Sequence, residues 1–336
     1  QDVVVTGIYV RKKDSFTGAS ATFDGEQLRS VGTQNVIASL KTLDPSFNVL
    51  ENNEFGSDPN KLPDIEIRGK SSLISTRDEL SEDPNQPLFI LDGFESSLEA
   101  IYNLDMSRVA SITILKDAAS TAIYGSKASN GVVVVETKRP APGTLRLSYN
   151  GDFTVQMPDL SDYNMMNAAE KLEFEWLTGY YTKTSNEEYL VDRMNLYNQR
   201  LKNVQSGVDT YWLTQPLTTS LNQRYSLNFE GGDQYFRYGV DLRYDTDKGV
   251  MKKSGRDRLG INLTFNYNIG SSFFIRNDLS VDNVKAKNSP YNEFSLYANQ
   301  NPYDRIYDEN GEFVEKLSSG DWNPLVSANL PKRNTS

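Results

Sequence analysis

The chain of 336 residues sets 35 Lys and Arg against 45 Asp and Glu, a formal charge of −10, and contains neither Cys nor His. Its length holds two or three domains with a sizeable core, and the acidic balance argues against a nucleic-acid partner, which selects a basic face. Zinc sites built on Cys and His, Ser-His-Asp triads, Cys nucleophiles and disulfides are excluded outright. Nothing calls for a cofactor. No apolar run approaches the ~20 residues of a membrane helix. Mean hydropathy is low, −0.56, which suits a water-soluble protein and equally a membrane β-barrel, where alternate residues face a wet lumen. No leader peptide is visible, so the expectation is a mature form or a fragment.

In chain order, Asp2–Gly7 (Asp2, Val3, Val4, Val5, Thr6 and Gly7; DVVVTG) is a β-prone run closed by glycine. It reads either as a first edge strand or as an extended peptide that adds a strand to a partner's sheet edge through backbone hydrogen bonds. Residues 11–20 are polar, as a tether is. Asp24 is placed to cap a turn leading into Gln27–Leu28, and Val36, Ile37, Leu40 and Leu43 recur at helical spacing until Asp44–Pro45 stops them. Residues 47–50 and 64–67 read as strands around a polar loop, 51–61. Arg68–Gly69 in Ile65–Leu73 (IEIRGKSSL) reads on its own as a solvated strand end. The acidic, Pro-containing loop 75–86 (STRDELSEDPNQ) is either an ordinary solvated connection or a ligand-facing loop, and in the second case Arg77, Asp78 and Asn85 are its candidate contacts. The strand 88–91 and the turn Asp92–Gly93 follow in Pro87–Phe94 (PLFILDGF), and then Ile101–Val109 (IYNLDMSRV).

Residues 111–138, SITILKDAASTAIYGSKASNGVVVVETK, organise this half. Ile112, Ile114 and Leu115 suit a strand, Ala118–Tyr124 a helical segment broken by Gly125 and residues 126–130, and 131–137 a second strand. Its four consecutive valines fit burial on both faces. The Gly125–Lys127 triplet lacks the remainder of a phosphate-binding loop and is not one.

LKDAASTAIYGSKASNGVVVVETK closely resembles the plug-domain signature of the SusC/RagA family of TonB-dependent outer-membrane transporters. IEIRGKSSL, PLFILDGF and IYNLDMSRV fit the same family in the expected order, and DVVVTG looks like its Ton box. The positions that carry the resemblance are Ile67, Arg68, Gly69, Leu91, Asp92, Gly93, Lys116, Asp117, Tyr124, Gly125, Asn130 and Gly131. It implies an α/β plug inside a barrel, TonB and its inner-membrane energising complex as partners at Asp2–Gly7, and an ion pair between Arg68 and barrel carboxylates.

The second half is read independently. After the linker signal Pro140–Gly143, residues 145–156 alternate cleanly, with Leu145, Leu147, Tyr149, Phe153 and Val155 opposite Arg146, Ser148, Asn150, Asp152 and Thr154. Segments 223–230, 236–245, 259–269 and 273–283 repeat the alternation over about the 9–11 residues of a tilted membrane strand. A soluble β-sandwich alternates too. The connections run long (157–222), tight (231–235), longer (246–258), tight (270–272) and long again (from 286). This is the pattern of an outer-membrane barrel, with long loops outside and short turns in the periplasm. It sends the first strand outward and leaves residue 336 outside the cell. The first long connection is partly helical (165–205), an external platform or a packed decoration. Its aromatics, including the ligand candidates Trp176 and Trp212, suit sugar stacking or, better, a loop core. Asp308–Gly311 (DENG) lacks the rest of a calcium loop and reads as a β-turn.

The expected fold is the front portion of a transmembrane antiparallel β-barrel with an N-terminal α/β plug in its lumen: 1–11 Ton box and tether, 12–142 plug, 143–336 about five barrel strands. The family's barrel of about 22 strands needs on the order of 200 residues in strands alone, so the resemblance implies a whole protein about three times longer. It further implies no enzyme but TonB-dependent import of oligosaccharides or oligopeptides across the bacterial outer membrane, under a SusD-like surface lipoprotein. The alternatives are an outer-membrane receptor and signal transducer, or a soluble carbohydrate-active enzyme, for which no carboxylate pair is singled out by spacing.

Overall fold

The computed structural model describes residues 3–5, 10–12, 20–32, 36–50, 58–67, 86–116, 121–183, 187–269 and 273–329. At the N-terminus, β1 (Val3–Val5) and β2 (Val10–Lys12) form an antiparallel two-stranded ribbon of their own.

The plug is built on a five-stranded sheet in the order β3-β8-β9-β6-β7. Its strands are β3 (Ser20–Asp24), β6 (Leu88–Leu91), β7 (Phe94–Ser96), β8 (Val109–Leu115) and β9 (Val132–Thr137). β6 and β9 run parallel and the other pairs antiparallel. The smaller pair β4 (Asn48–Leu50) and β5 (Asp64–Glu66) stands apart. Three helices cover one face: α1 (Gly25–Val31), α2 (Val36–Leu43) and α3 (Leu98–Tyr102). Asp24 caps α1 in a full capping box, its side chain accepting from the Gln27 N–H while Gln27 accepts from the Asp24 N–H. The expected turn is therefore a complete helix. Gly25 is required, because a Cβ there would lie 2.3 Å from the Val109 carbonyl oxygen.

Burial follows from the valine run as expected. Val133 and Val135 pack with Leu28, Ile37, Leu40 and Ile101 on the helical side. Val132 and Val134 pack with Ile90, Leu115, Ala128 and Tyr124 on the other. Each buried valine is worth about 2 kcal/mol. The helical segment between β8 and β9 departs from expectation. The described part is a 3-10 helix, Ala122–Ala128, so Ser126–Ala128 continue the helical turns, and the interruption is Gly125 alone (φ 68°, ψ −151°). Only glycine is at ease there.

The second sheet holds five strands in sequence order, all antiparallel: β10 (Gly143–Gln156), β11 (Ser220–Gly232), β12 (Phe236–Asp247), β13 (Gly255–Ile269) and β14 (Phe273–Lys287). Hydrogen bonding continues past the apolar alternation, so the ladders are longer than the segments read from hydropathy. The register aligns one transverse row, Tyr149–Leu227–Leu242–Ile261–Val281, and beside it another, Ser148–Asn228–Asp241–Asn262–Ser280. The first lies on an exposed apolar face, with Tyr149 63% and Val281 58% accessible. The second faces the plug. Phe236 stacks on Phe265 and meets Tyr238 and Tyr267 beside the short 233–235 turn, as an interfacial aromatic girdle does. Among the described residues the sheet is an open five-stranded wall and does not close.

At the opposite end the long connections 157–219 and 288–329 fold together into a cap. It carries α4 (Ala168–Leu177), α5 (Glu187–Gln205), α6 (Ser295–Ala298) and α7 (Pro324–Asn329). One core gathers Trp212, Met251, Tyr297 and Leu325, and another Ala168, Leu172, Tyr181 and Tyr303. Asp308–Gly311 is the expected turn: Asp308 Oδ1 accepts from the N–H groups of Asn310 and Glu312.

The plug–barrel seam, a candidate functional site

The polar rows of the wall meet the plug in a band of charge. Three ion pairs between described residues cross it: Arg108–Asp241 at 3.2 Å, Arg256–Glu99 at 3.0 Å and Arg276–Asp92 at 2.9 Å. They end on β12, β13 and β14 in turn. Two further arginines converge on one backbone atom, the Asn103 carbonyl oxygen at the C-cap of α3. Arg243 Nη1 donates to it at 2.8 Å, and Arg258 Nη1 donates to it as well. A helix C-terminus carries orphan carbonyls and partial negative charge, so paired guanidinium groups suit it. Both arginines are themselves held by wall carboxylates, Arg243 by Asp245 at 2.6 Å and Arg258 by Asp282 at 2.8 Å.

Asp92 shows how the plug signature serves this seam. It and Gly93 take positive φ (50° and 91°) in the two-residue turn joining β6 to β7, the geometry of a type I′ hairpin. The turn aims the Asp92 carboxylate at Thr137, which donates to it from N–H (2.9 Å) and hydroxyl (2.7 Å). Arg276 Nη2 then donates to both Asp92 Oδ2 and Thr137 Oγ1. The other signature positions are internal to the plug. Lys116 reaches Asp44 at 2.7 Å, just beyond α2. Burial raises the Asp44 pKa, but hydrogen bonds from Lys116 and from the N–H and hydroxyl of Ser46 outweigh it and hold the carboxyl below its ordinary value. Tyr124, Leu91 and Ile67 pack in or against the cores, and Asn130 is buried. Gly131 has φ 98°, and a Cβ there would press on the Ile67 side chain and the Leu115 carbonyl, each at 3.2 Å.

Between plug and wall lies a cavity of about 440 Å³. Ser107, Arg108 and Lys138 of the plug line it opposite Ser148, Asn150, Ser226 and Asn228 of β10 and β11.

The remaining candidates separate. Trp212 is buried, 3% exposed, with its indole N–H donated to the Asn301 carbonyl. Its ring belongs to the cap core and offers no face to a ligand, which corrects its place among the ligand candidates. Trp176 is 40% exposed and rests on Tyr197. Arg68, Gly69, Arg77, Asp78, Asn85 and Asp117 lie outside the described residues, as do Asp2, Thr6 and Gly7 of the N-terminal motif. The pair expected at Arg68 lies outside the described residues; among the described ones a plug arginine meets a wall carboxylate at Arg108–Asp241, alongside two pairs of the opposite polarity.

Sequence reasoning also missed a network in the cap. Arg200, 3% exposed, donates to Tyr181 Oη (2.8 Å), Glu175 Oε2 (3.1 Å) and Ser318 Oγ (2.9 Å), and lies over the Tyr303 ring. Tyr181 and Tyr303 both donate to Glu175. Burial first, and Glu175 beside them, push both phenol pKa values well up. The network clips the connection after β10 to the one after β14.

Comparison with known proteins places these features. Residues 12–132 match the model of the TonB-dependent Receptor Plug Domain. The TonB-dependent receptor SusC of Bacteroides thetaiotaomicron is 26% identical over 357 aligned residues, covering 98% of this chain and 32% of that protein. The chain thus spans about a third of the length of the curated relatives it matches. Among solved structures, the RagAB peptide importer in its open-open state superposes with a TM-score of 0.70 at 22% identity, covering 94% of this chain and 36% of that one. Its closed-closed state gives 0.66 at 21%, covering 90% and 35%. At these identities the superpositions establish the fold.

Proposed function

Since this chain is a SusC/RagA-like TonB-dependent receptor of the outer membrane, spanning a plug and part of a barrel, we propose that the whole protein imports oligosaccharides or oligopeptides. In this reading residues 1–11 are Ton box and tether, 12–142 the plug and 143–336 the front of the barrel, with the cap outside the cell. TonB pairs with Asp2–Gly7 and pulls, while a SusD-like surface lipoprotein covers the cap and shares the cargo.

The observation that supports this reading best is the seam itself. Among the described residues the plug is held to the wall by ion pairs and hydrogen bonds in a polar band, and no buried apolar cluster spans the two. Such contacts seal the lumen, yet they can be exchanged for water at modest cost when the plug is displaced. The N-terminal ribbon supplies a handle: β1 is a short edge strand, and edge strands accept a partner's strand through backbone hydrogen bonds. The exposed apolar face of β10–β14 does not suit a soluble enzyme. A receptor that signals without importing is distinguished by uptake.

The test is direct binding of a TonB periplasmic domain to the purified full-length protein in detergent. Binding is expected with the native N-terminus and is expected to disappear when residues 2–7 are deleted. Equal binding to both proteins would remove the Ton-box assignment.

A further inference from the structure

The outward face of the wall carries its charges in one corner. All seven arginines of β10–β14 stand on the inward rows of the sheet, and both lysines, Lys285 and Lys287, stand on the outward rows. The outward rows hold one further charge, Asp257, which faces Lys285 across the ladder. All three lie at the ends of β13 and β14 that adjoin the cap. Inward Arg256, Arg258 and Arg276 are each ion-paired. Lys285 and Lys287 are exposed, and none of the ion pairs among the described residues engages either. Just beyond the ladder, exposed Lys253 is held over the Tyr291 ring at 5.6 Å. It lies close in sequence to Gly255, the ladder partner of Lys287. On β14 the outward positions from Phe273 to Val281 are apolar apart from Asn277. At about 3.3 Å per residue and a tilt of about 40°, the path from Phe273 to Lys285 rises roughly 30 Å. That passes the top of an apolar band about 25 Å tall and sets both ammonium groups at headgroup level.

We propose that Lys285 and Lys287, with Lys253 beside them, bind the phosphate groups of lipids in the outer leaflet. The proposal concerns the lipid-facing surface and needs neither cargo nor TonB. It rests only on the orientation proposed above, with the cap outside the cell. Lysine suits such a place, because its hydrocarbon stem lies along apolar surface while the ammonium reaches the headgroups. A point charge on a flexible stem also takes a phosphate in many orientations, whereas the planar fork of arginine suits the fixed partners of the seam. Asp257 offsets one of the two strand lysines, and Lys253 adds to the remaining surplus. The chain as a whole carries −10, so attraction for an anion comes from this corner and not from net charge.

The test uses full-length protein in detergent, titrated with fluorescent lipid A that carries both phosphates or with the same lipid after phosphate removal. Wild type is expected to bind the phosphorylated lipid in preference, and the preference to fade as salt is raised. Lys285→Gln combined with Lys287→Gln is expected to weaken that binding about 25-fold, at roughly fivefold for each lysine near a charged surface. Lys285→Arg combined with Lys287→Arg keeps the charge and is expected to bind as wild type does, which separates lost charge from a folding defect. Lys202→Gln removes an exposed lysine from α5 of the cap and is expected to change nothing. Equal binding of both lipids by wild type, or equal weakening in Lys202→Gln, overturns the site. Complete displacement of the lipid by inorganic phosphate at matched ionic strength overturns the lipid as its ligand. Orientation is read separately in intact cells, where Lys202→Cys is expected to react with a membrane-impermeant thiol reagent above the wild-type background. Absence of that labelling overturns the orientation, and the outer leaflet with it, whatever the lipid preference.

Discussion

At the scale of single residues, the plug signature divides into positions that shape the plug and one that fastens it. Gly125 and Gly131 are glycine for backbone and steric reasons, and Lys116 neutralises the buried Asp44. Asp92 instead reaches outward, organised by Thr137 and paired with Arg276. Both partners are largely shielded from water, and removing one leaves the other only partly compensated, Arg276 by Asp278 and Asp92 by Thr137. Asp92→Asn and Arg276→Gln are each expected to weaken plug docking, and together to cost less than their sum, with a coupling of about 1–3 kcal/mol. Hydrogen exchange of plug amides, measured across the double-mutant cycle in detergent, checks this; strict additivity would mean the pair carries no coupling. Asp44 makes a pH prediction. Its folded pKa lies below its ordinary value of 3.8, so the stability it contributes is complete above that value and is lost as pH falls through the lower folded pKa. The plug is therefore expected to loosen below about pH 4 in wild type, and an Asp44→Asn plug, weaker throughout, is expected to lose that part of the acid dependence. Acid titration followed by hydrogen exchange in β8 and α2 reports it.

At the scale of elements, alternation carried the strands. Phe236, Tyr238 and Val240 face away from the plug, while Arg237, Asp241 and Arg243 lie on the other face, as the period of two dictates. Leu242 lies in the middle of the apolar row. Leu242→Arg is expected to cost about 2–4 kcal/mol of barrel stability, where a charge meets hydrocarbon. Urea unfolding followed by heat-modifiable migration measures the effect; an unchanged midpoint would contradict a lipid-facing assignment. Helical spacing likewise showed α5 and its apolar stripe, including Tyr197, Leu201 and Val204. It could not show Arg200, a charge embedded beside that stripe, because the residues that compensate it, Glu175, Tyr181, Tyr303 and Ser318, come from separate parts of the chain. The seam was half legible for the same reason. Inward arginines at alternate positions of β12 and β13 are visible in sequence, but their partners Glu99 and the Asn103 carbonyl are not, since no local pattern marks a helix C-cap as a docking point. Trp212 takes the loop-core alternative that the sequence favoured, and its place among the ligand candidates reflects that an aromatic in a long loop looks alike whether it stacks on a sugar or fills the loop's own core.

At the scale of the whole molecule, the fold joins a plug with its own core to a wall that buries little of its outer face in protein. Two different solvents are written into one sheet: hydrocarbon outside, and a wet, charged seam inside. Ion pairs from the plug end on β12, β13 and β14, and the polar cavity beside them is lined by the plug and by β10 to β13. In the proposed reading, force applied at residues 2–7 enters the chain ahead of the plug, which fits a gate opened from the periplasm. The measurement that tests this account most directly is uptake by cells of labelled oligopeptides and oligosaccharides, comparing the full-length protein with one lacking Asp2–Gly7. The account predicts that uptake of one cargo class disappears on deletion while surface binding persists. Uptake that survives the deletion would contradict it, leaving Asp2–Gly7 as a plug strand without a part in energised transport.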